Sequence, residues 1–249
     1  DLFDRSGHKP ALTAAGRALL HDIRAIVARA DDLHARARAV AAGVEAEIVL
    51  VADAVCSPDA LARTLAAFQG AYPTVPVRLH VETLGMLFER ALQHPGALGV
   101  IATMIDLPDG LARYALPPLR MHAVAAPSHA LAQCAPEDAP DAMQNSVQIV
   151  LSDRSKRTIG RDFAVFSPRT WRVDDLAAKR ALILHGVGWG ALPAWMVQDD
   201  LARGRLAIVR APSLPESDDM SVQAFHDAGH RPGPAASWLI NALQRDGVG

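Results

Sequence analysis

The sequence has few cysteines, no long apolar run and almost no net charge. Its two cysteines, Cys56 and Cys134, are too few for a disulfide framework, so we expect reduced thiols in a cytoplasmic protein. No segment approaches the run of roughly 20 apolar residues that crosses a bilayer, so no membrane partner is expected. The net charge of -2 and the pI of about 6.6 give no overall attraction to nucleic acid. Any contact with DNA must therefore be local.

Motifs of common enzyme classes are also missing. We find no Gly-x-Ser-x-Gly elbow, no phosphate loop and no Cys-x-x-Cys pair. One glycine cluster, Gly186-Val187-Gly188-Trp189-Gly190, superficially resembles a dinucleotide-binding loop. That loop follows a strand and opens a helix, whereas this cluster follows a predicted helix, opens a predicted strand and has the wrong third spacing. We therefore expect no enzyme activity and no cofactor.

Metal binding and redox sensing have only weak support. His226 and His230 would be spaced as metal ligands only on a helix, and Gly229 between them indicates a loop. Cys56 stands just before a predicted helix start, where its pKa could be lowered, and a redox pair with Cys134 is conceivable. No local redox motif accompanies either cysteine, so we expect no metal and favour no redox role.

The first forty residues predict one long helix with a single apolar face. It begins after an N-cap at Thr13 and ends at Gly43, a length of roughly 28 residues or about 42 Å. The apolar residues follow a heptad spacing: Leu19, Ile23, Ile26, Ala30, Leu33, Ala37 and Val40. Such a stripe needs a partner. The helix either packs on its own domain or pairs with a second copy, and we favour a dimerising linker helix.

From residue 48 onwards, strand-like runs alternate with helical patterns, which is typical of parallel sheets with crossover helices. A first series has strands at 48–52, 77–81 and 97–102, with helices between them. A second series comprises strands at 119–126, 147–151, 170–173, 186–192 and 206–209, a helix capped by Asp174 and a helix opened by Pro193. A last strand at 221–225 and a helix at 234–244 could rejoin the first series. The pattern predicts two α/β lobes with a cleft between them.

Four stretches resemble LysR-type bacterial transcriptional regulators. Residues 2–16 are similar to the end of the winged helix-turn-helix and the start of the linker helix, and residues 61–79 to the first effector-domain helix and second strand. Residues 124–132 resemble the entry into the second subdomain, and residues 186–206 resemble a glycine-rich strand followed by a Pro-initiated helix. The resemblance implies an α/β protein with two Rossmann-like subdomains of the type 2 periplasmic-binding-protein fold, preceded by a long dimerisation helix.

The same resemblance implies a division of the chain and a set of partners. Residues 1–16 would be a remnant of the winged helix-turn-helix, 17–44 the linker helix, 45–119 with 222–249 subdomain I, and 120–221 subdomain II. The partners implied are a small-molecule effector, further copies in a homodimer or homotetramer, and operator DNA in the full-length protein. Three residues match wing positions that lie near DNA phosphates in the family: Arg5, His8 and Lys9. Because the recognition helix would precede Asp1, we expect a fragment that cannot read an operator by itself.

A ligand is expected beyond the carboxyl ends of the strands, where helix N-termini present free N–H groups. The residues at those ends are Asp53, Ala54, Val55, Thr83, Leu84, Thr103, Ser152, Asp153 and Arg154. The family often has hydroxyl side chains in the first of these loops, whereas this sequence has Asp53. We hypothesise a ligand with a donor group facing Asp53 and an acidic, nitro or other acceptor group facing Arg154. Alternatively, Asp53 caps the next helix and Arg154 pairs with Asp153 or Asp162.

Three functions follow from this reading. The first is the ligand-sensing and oligomerising part of a LysR-type regulator, which binds a small, aromatic or acidic inducer between two subdomains to control transcription. The second is a solute-binding protein of a transporter, which shares the fold but has no use for the heptad helix. The third is an enzyme on the same scaffold, for which no nucleophile, base and orienting group converge in the sequence.

Overall fold

A computed structural model describes residues 1–4, 9–102, 107–152, 164–214 and 219–249, with the backbone alone at Leu84. Two short strands, β1 (Phe3–Asp4) and β2 (Ala11–Leu12), pair in antiparallel fashion ahead of helix α1 (Ala14–Ala41). The Thr13 side chain accepts a hydrogen bond from the Gly16 N–H and caps α1. The predicted start, length and cap of this helix are therefore confirmed.

The first lobe is a mixed sheet with helices on both faces. Its elements are β3 (Ile48–Asp53), α2 (Pro58–Ala71), β4 (Val77–Glu82), α3 (Leu84–Leu92), β5 (Leu98–Ala102), β11 (Asp219–Asp227) and α8 (Pro234–Asp246). Strand β3 is parallel to both β4 and β5, and β11 is antiparallel to β5. Every residue of β5 is buried and β3 is buried almost throughout, as expected for a sheet covered on both faces.

The second lobe repeats this plan with shorter helices. Its elements are β6 (Leu111–Ala125), α4 (Ala130–Gln133), α5 (Ala139–Asn145), β7 (Gln148–Leu151), β8 (Thr170–Val173), α6 (Leu176–Leu184), β9 (Trp189–Pro193), α7 (Ala194–Ala202) and β10 (Ala207–Ile208). Strand β7 is parallel to β8 and β9, whereas β9 and β10 flank β6 in antiparallel pairs.

Strand β6 runs through both lobes. From Leu111 to Arg120 it pairs with β11, and from Met121 to Ala125 it pairs with β9. The two lobes thus share one continuous backbone ladder, and the order along it is β4-β3-β5-β11-β6-β9-β7-β8. The prediction that this strand starts at residue 119 was wrong, since β6 begins at Leu111. The early start was missed because the sequence before residue 119, with Pro117 and Pro118, lacks the uninterrupted apolar pattern of a buried strand.

Two further boundaries differ from the sequence prediction by a few residues. Asp175, not Asp174, caps α6 by accepting the Ala178 N–H at 2.6 Å. Strand β9 begins at Trp189 rather than at Gly186, because Gly186 has a φ of 73° and ends the preceding helix.

Helix α1 leaves its apolar stripe uncovered. Gly16 is its only buried residue, and Ile26 and Leu33 are 67% and 65% exposed. The segment just after α1 is hydrogen-bonded to the first lobe. The Glu45 carboxylate accepts the N–H groups of Ala235 and Ala236, each at 3.0 Å. Glu45 therefore caps α8 from outside that helix and ties the end of the linker to the first lobe.

A buried carboxylate organises the second lobe. The Asp200 side chain is 0% exposed and lies between Arg180 of α6 and Arg205, which follows α7. Arg180 donates from its Nε to Asp200 Oδ2 at 2.7 Å. The arginines keep part of their surface in water, so the triad joins two helices without fully desolvating three charges.

Replacing Asp200 with Ala should lower the free energy of unfolding by about 2 kcal/mol or more, because two arginines lose their common partner and a cavity remains. Urea denaturation followed by circular dichroism measures the loss. Asp199→Ala is the matched control, since Asp199 is exposed and its described ion pair is with Arg203 at 3.4 Å. Equal stability of the two variants would contradict the structural role of the triad.

Candidate functional site

The two lobes face each other across the carboxyl ends of their parallel strands. In the first lobe these ends are Asp53 of β3 and Ala102 of β5, and in the second they are Leu151, Val173 and Pro193. The edges are in contact where the Trp195 indole N–H donates to the backbone oxygen of Val55 at 2.9 Å. Open α/β sheets bind ligands beyond the carboxyl ends of their strands, so this junction is the candidate site.

Asp53 lies at the end of β3, where its carboxyl group organises the following loop. One oxygen accepts the Val55 N–H at 3.2 Å and the other accepts the Ala102 N–H at 3.4 Å. The side chain is only 3% exposed, and burial raises its pKa from 3.8 to about 7 even though backbone N–H groups favour the charged form. Asp53 does not cap the next helix, because the Ser57 hydroxyl accepts the Ala60 N–H there.

Cys56 is buried beside Asp53. Burial, and secondarily the charge of Asp53, raise the pKa of the Cys56 thiol. The suggestion of a lowered pKa was therefore wrong, because the thiol is enclosed by the core instead of facing the helix N-terminus through water. Cys56 and Cys134 are both free thiols.

The remaining predicted site residues fall into two groups. Among the described ones, Ala54 and Val55 lie in the loop after β3, Thr83 precedes α3 without a side-chain cap bond, and the Ser152 hydroxyl donates to Val173 O at 3.3 Å. Lys9 is exposed near β2. Outside the described residues lie Thr103, Asp153, Arg154, Arg5 and His8, as does the side chain of Leu84.

His226 has a role within the core of the first lobe. It lies on β11, not in a loop, and its ring contacts the Tyr114 hydroxyl at 3.0 Å and the Asp227 backbone oxygen at 2.7 Å. Both ring nitrogens are thereby used. Within the described ranges, no group of three or more His, Cys, Asp or Glu side chains is arranged to hold a metal ion.

Sequence reasoning missed two residues of the second lobe. Trp195 sits in the first turn of α7, and its partner Val55 is 140 positions away, so no local pattern could reveal their contact. Lys179 lies on the buried face of α6 and is 6% exposed. The sequence did contain an indication of it, because a charged lysine is rarely found at an inward position of a helix.

A cavity of about 530 Å³ lies elsewhere, between α1 and the first lobe. Its lining combines Asp32 and Arg36 of α1 with residues of α2 and of the segment leading into β4. None of the residues predicted to bind ligand borders it. The cavity therefore belongs to the junction between the linker helix and the lobe.

Two α/β lobes that share crossing strands and face each other at their strand ends define an effector-binding module of the type 2 periplasmic-binding-protein fold. The sequence matches the LysR substrate binding domain family over residues 41–247. The chain belongs to this family. Among the helices that the structure describes, none is both long and apolar enough to cross a membrane.

Individual relatives agree with this assignment. The chain is 27% identical over 248 residues to the probable HTH-type transcriptional regulator YhaJ of Escherichia coli K12, covering 98% of this chain and 81% of that protein. The regulatory domain of CcmR from Synechocystis PCC6803 in complex with 2-PG has the same fold, with a TM-score of 0.64 and 16% identity over 82% of this chain and 98% of that one. The effector binding domain of QuiR in complex with shikimate gives a TM-score of 0.62 and 15% identity, covering 80% of this chain and 95% of that one.

The buried carboxyl group of Asp53 should make stability depend on pH. Its pKa of about 7 lies above the ordinary 3.8, so the folded chain keeps a proton that the unfolded chain has released. Stability is therefore lost as pH rises from about 4 to about 7 and levels off above that. We expect the free energy of unfolding of the wild type, measured relative to Asp53→Asn, to fall by about 2 to 4 kcal/mol over this window.

Urea denaturation at several pH values measures this difference. Asp59→Asn serves as the control because Asp59 is exposed in the first turn of α2, and it should show no comparable trend over the same window. A constant difference between wild type and Asp53→Asn from pH 4 to pH 8 would show that Asp53 stays ionised when buried.

Proposed function

We propose that this chain is the effector-sensing and oligomerising part of a LysR-type transcriptional regulator, with a small-molecule inducer bound between its two lobes. The observation that carries the proposal is the meeting of the two strand-end edges at the bond between Trp195 and Val55. A molecule placed there would contact both lobes at once. Two of the neighbouring folds, those of QuiR and CcmR, carry shikimate and 2-PG respectively, which supports a small polar ligand.

The proposed contacts follow the strand ends. Asp53, Ala54, Val55 and Thr83 would bind from the first lobe, and Ser152 from the second, together with Leu84, Thr103, Asp153 and Arg154. Because a carboxylate offers about four acceptor positions, Asp53 retains capacity for a donor on the ligand beside its bonds to Val55 and Ala102. Arg154 would face an acidic or other acceptor group.

Ligand binding can change the arrangement of the lobes only by favouring one arrangement over another. A shift from 1:99 to 99:1 requires about 5.5 kcal/mol of differential affinity. The crossing strands β6 and β11 are the natural place for such a change, because the segment near Arg120 and Asp219 is where β6 exchanges partners. In the full-length protein this change would alter how the copies engage operator DNA, with Arg5, His8 and Lys9 near phosphates.

The exposed stripe of α1 favours a regulator over a transporter's solute receptor. A receptor acting as a monomer has no use for a helix of 28 residues whose apolar seam faces water. We therefore propose a homodimer or homotetramer in which α1 of one copy pairs with α1 of another, in the cytoplasm and without catalytic activity.

Incubating the protein with a metabolite mixture should leave one small molecule bound, which native mass spectrometry of the repurified protein identifies. Trp195→Phe keeps the ring but removes the bond to Val55 O, so the identified ligand should bind about 5-fold more weakly. Trp171→Phe is the matched control, since Trp171 is 51% exposed on β8. Binding between the lobes is contradicted if the protein retains no molecule, or if Trp195→Phe and Trp171→Phe bind the identified ligand with the same affinity.

A charge within the apolar stripe of α1 should weaken the association between copies of the chain. Ala30→Asp places a carboxylate within the heptad stripe, so the dimer dissociation constant should rise at least 10-fold, about 1.4 kcal/mol. Ala28→Asp introduces the same side chain off the stripe on an equally exposed part of the helix and should have little effect. Analytical ultracentrifugation compares the two, and the hypothesis fails if the wild type is monomeric or both variants associate alike.

A further inference from the structure

Helix α8 lies between the end of the linker helix and the crossing strands. It has 13 residues, which span about 20 Å, and its buried residues recur at every turn from Ala235 to Leu243. This buried face packs on β6 and on α2. Because close-packed interiors are stiff, a helix that is buried along its whole length moves as one body.

The amino end of α8 is held by the segment that follows the linker helix. Gly233 gives α8 no side-chain cap, and the Glu45 carboxylate instead accepts the N–H groups of Ala235 and Ala236. A Cβ at Gly233 would come within 2.6 Å of Glu45 Cδ, so a larger residue there would displace the carboxylate. Since α1 ends at Ala41, only a short segment separates the linker helix from this attachment.

The carboxyl end of α8 is attached to the loop after β3. Gly247 has a φ of 69°, a left-handed conformation that ends the helix, and the next residue, Val248, is fully buried. The backbone oxygen of Val248 accepts the Ser57 N–H at 2.7 Å. Because Ser57 also caps α2, this hydrogen bond joins the end of α8 to the start of α2, next to the loop that Asp53 organises.

The same end of α8 contacts the crossing strand. A Cβ at Gly247 would lie 3.2 Å from Pro117 Cβ of β6, and the Gln244 side-chain amide donates to the backbone oxygen of Ala115 at 3.4 Å. Strand β6 changes its partner from β11 to β9 after Arg120. The carboxyl end of α8 is therefore fixed close to the place where the two lobes are joined.

These contacts allow two descriptions of α8. In one, each end is a local attachment that acts only where it lies. In the other, the helix joins its two ends, so that a change at one end is felt at the other. The burial of α8 along its length favours the second description, because a small displacement in a packed interior cannot be absorbed within one turn.

We propose that α8 couples the crossing strand to the end of the linker helix. A displacement of β6 near its change of partner would move Val248 and the carboxyl end of α8, and the amino end would carry Glu45 with it. The direction in which α1 leaves the first lobe would then depend on the arrangement of the lobes. This inference goes beyond the proposed function, because the coupling does not require a ligand between the lobes.

Hydrogen exchange, followed residue by residue with NMR, tests the coupling in the protein without ligand. Val248→Ala removes buried contacts at the carboxyl end of α8, so the Ala235 and Ala236 N–H groups at the other end should exchange at least 5-fold faster. In the opposite direction, Glu45→Gln should speed exchange of the Ser57 N–H at least 5-fold. Coupling between two sites is reciprocal, so both effects must appear.

Two control variants separate coupling from a general loss of stability. Leu87→Ala removes a fully buried side chain from the opposite face of the first-lobe sheet and should lower stability at least as much as Val248→Ala. Glu47→Gln removes a carboxylate close to Glu45 in the chain, whose described partner is Arg78 at 3.1 Å. Relative to the N–H groups of β3 and β5, neither control should speed exchange at either end of α8.

The result expected is faster exchange at the distant end in both directions and in neither control. The coupling is contradicted if each variant affects only its own end, if only one direction responds, or if Leu87→Ala reproduces the effect of Val248→Ala. Val248→Thr keeps the shape of the side chain and replaces the alanine variant if that variant does not fold. Because none of these measurements uses a ligand, their outcome is independent of the proposed sensing function.

Discussion

The backbone ladder of β6 is the constraint on which the rest of the structure depends. One strand satisfies its hydrogen bonds with β11 along its first part and with β9 along its second. Since an unpaired buried N–H or C=O costs as much as a lost hydrogen bond, neither lobe can detach from this strand without exposing or orphaning its polar groups. The lobes are therefore joined at a fixed place and free to adjust only around it.

That junction also brings the strand ends of the two lobes together. Parallel pairing of β3 with β5, and of β7 with β8 and β9, brings the carboxyl ends of each lobe to one edge. The shared strand then turns the two edges toward each other, so that loops far apart in the sequence become neighbours. The contact of Trp195 with Val55 is a consequence of this arrangement and not of any local preference of either residue.

Much of the fold could be predicted from the sequence, because periodicity and capping are local signals. The long helix α1 with its N-cap at Thr13, the buried strand β3 and the helix start just after Cys56 are all confirmed. Strand β6 was harder to predict, because its first part contains prolines and has no regular alternation of polar and apolar residues. Helices α4 and α5 were missed because they are short, with 4 and 7 residues respectively.

The site was less predictable, because its chemistry depends on contacts that the chain makes at long range. The position of Asp53 at a strand end followed from the pattern, but its burial and its bond to Ala102 did not.

The three buried charged side chains Asp200, Asp53 and Lys179 differ in how the cost of their desolvation is offset. Asp200 is neutralised by two arginines, Asp53 gains backbone N–H donors and a raised pKa, and Lys179 has neither solution within the described chain. The first arrangement joins two helices and the second shapes the loop after β3, so both have a structural result that offsets the desolvation of the charge.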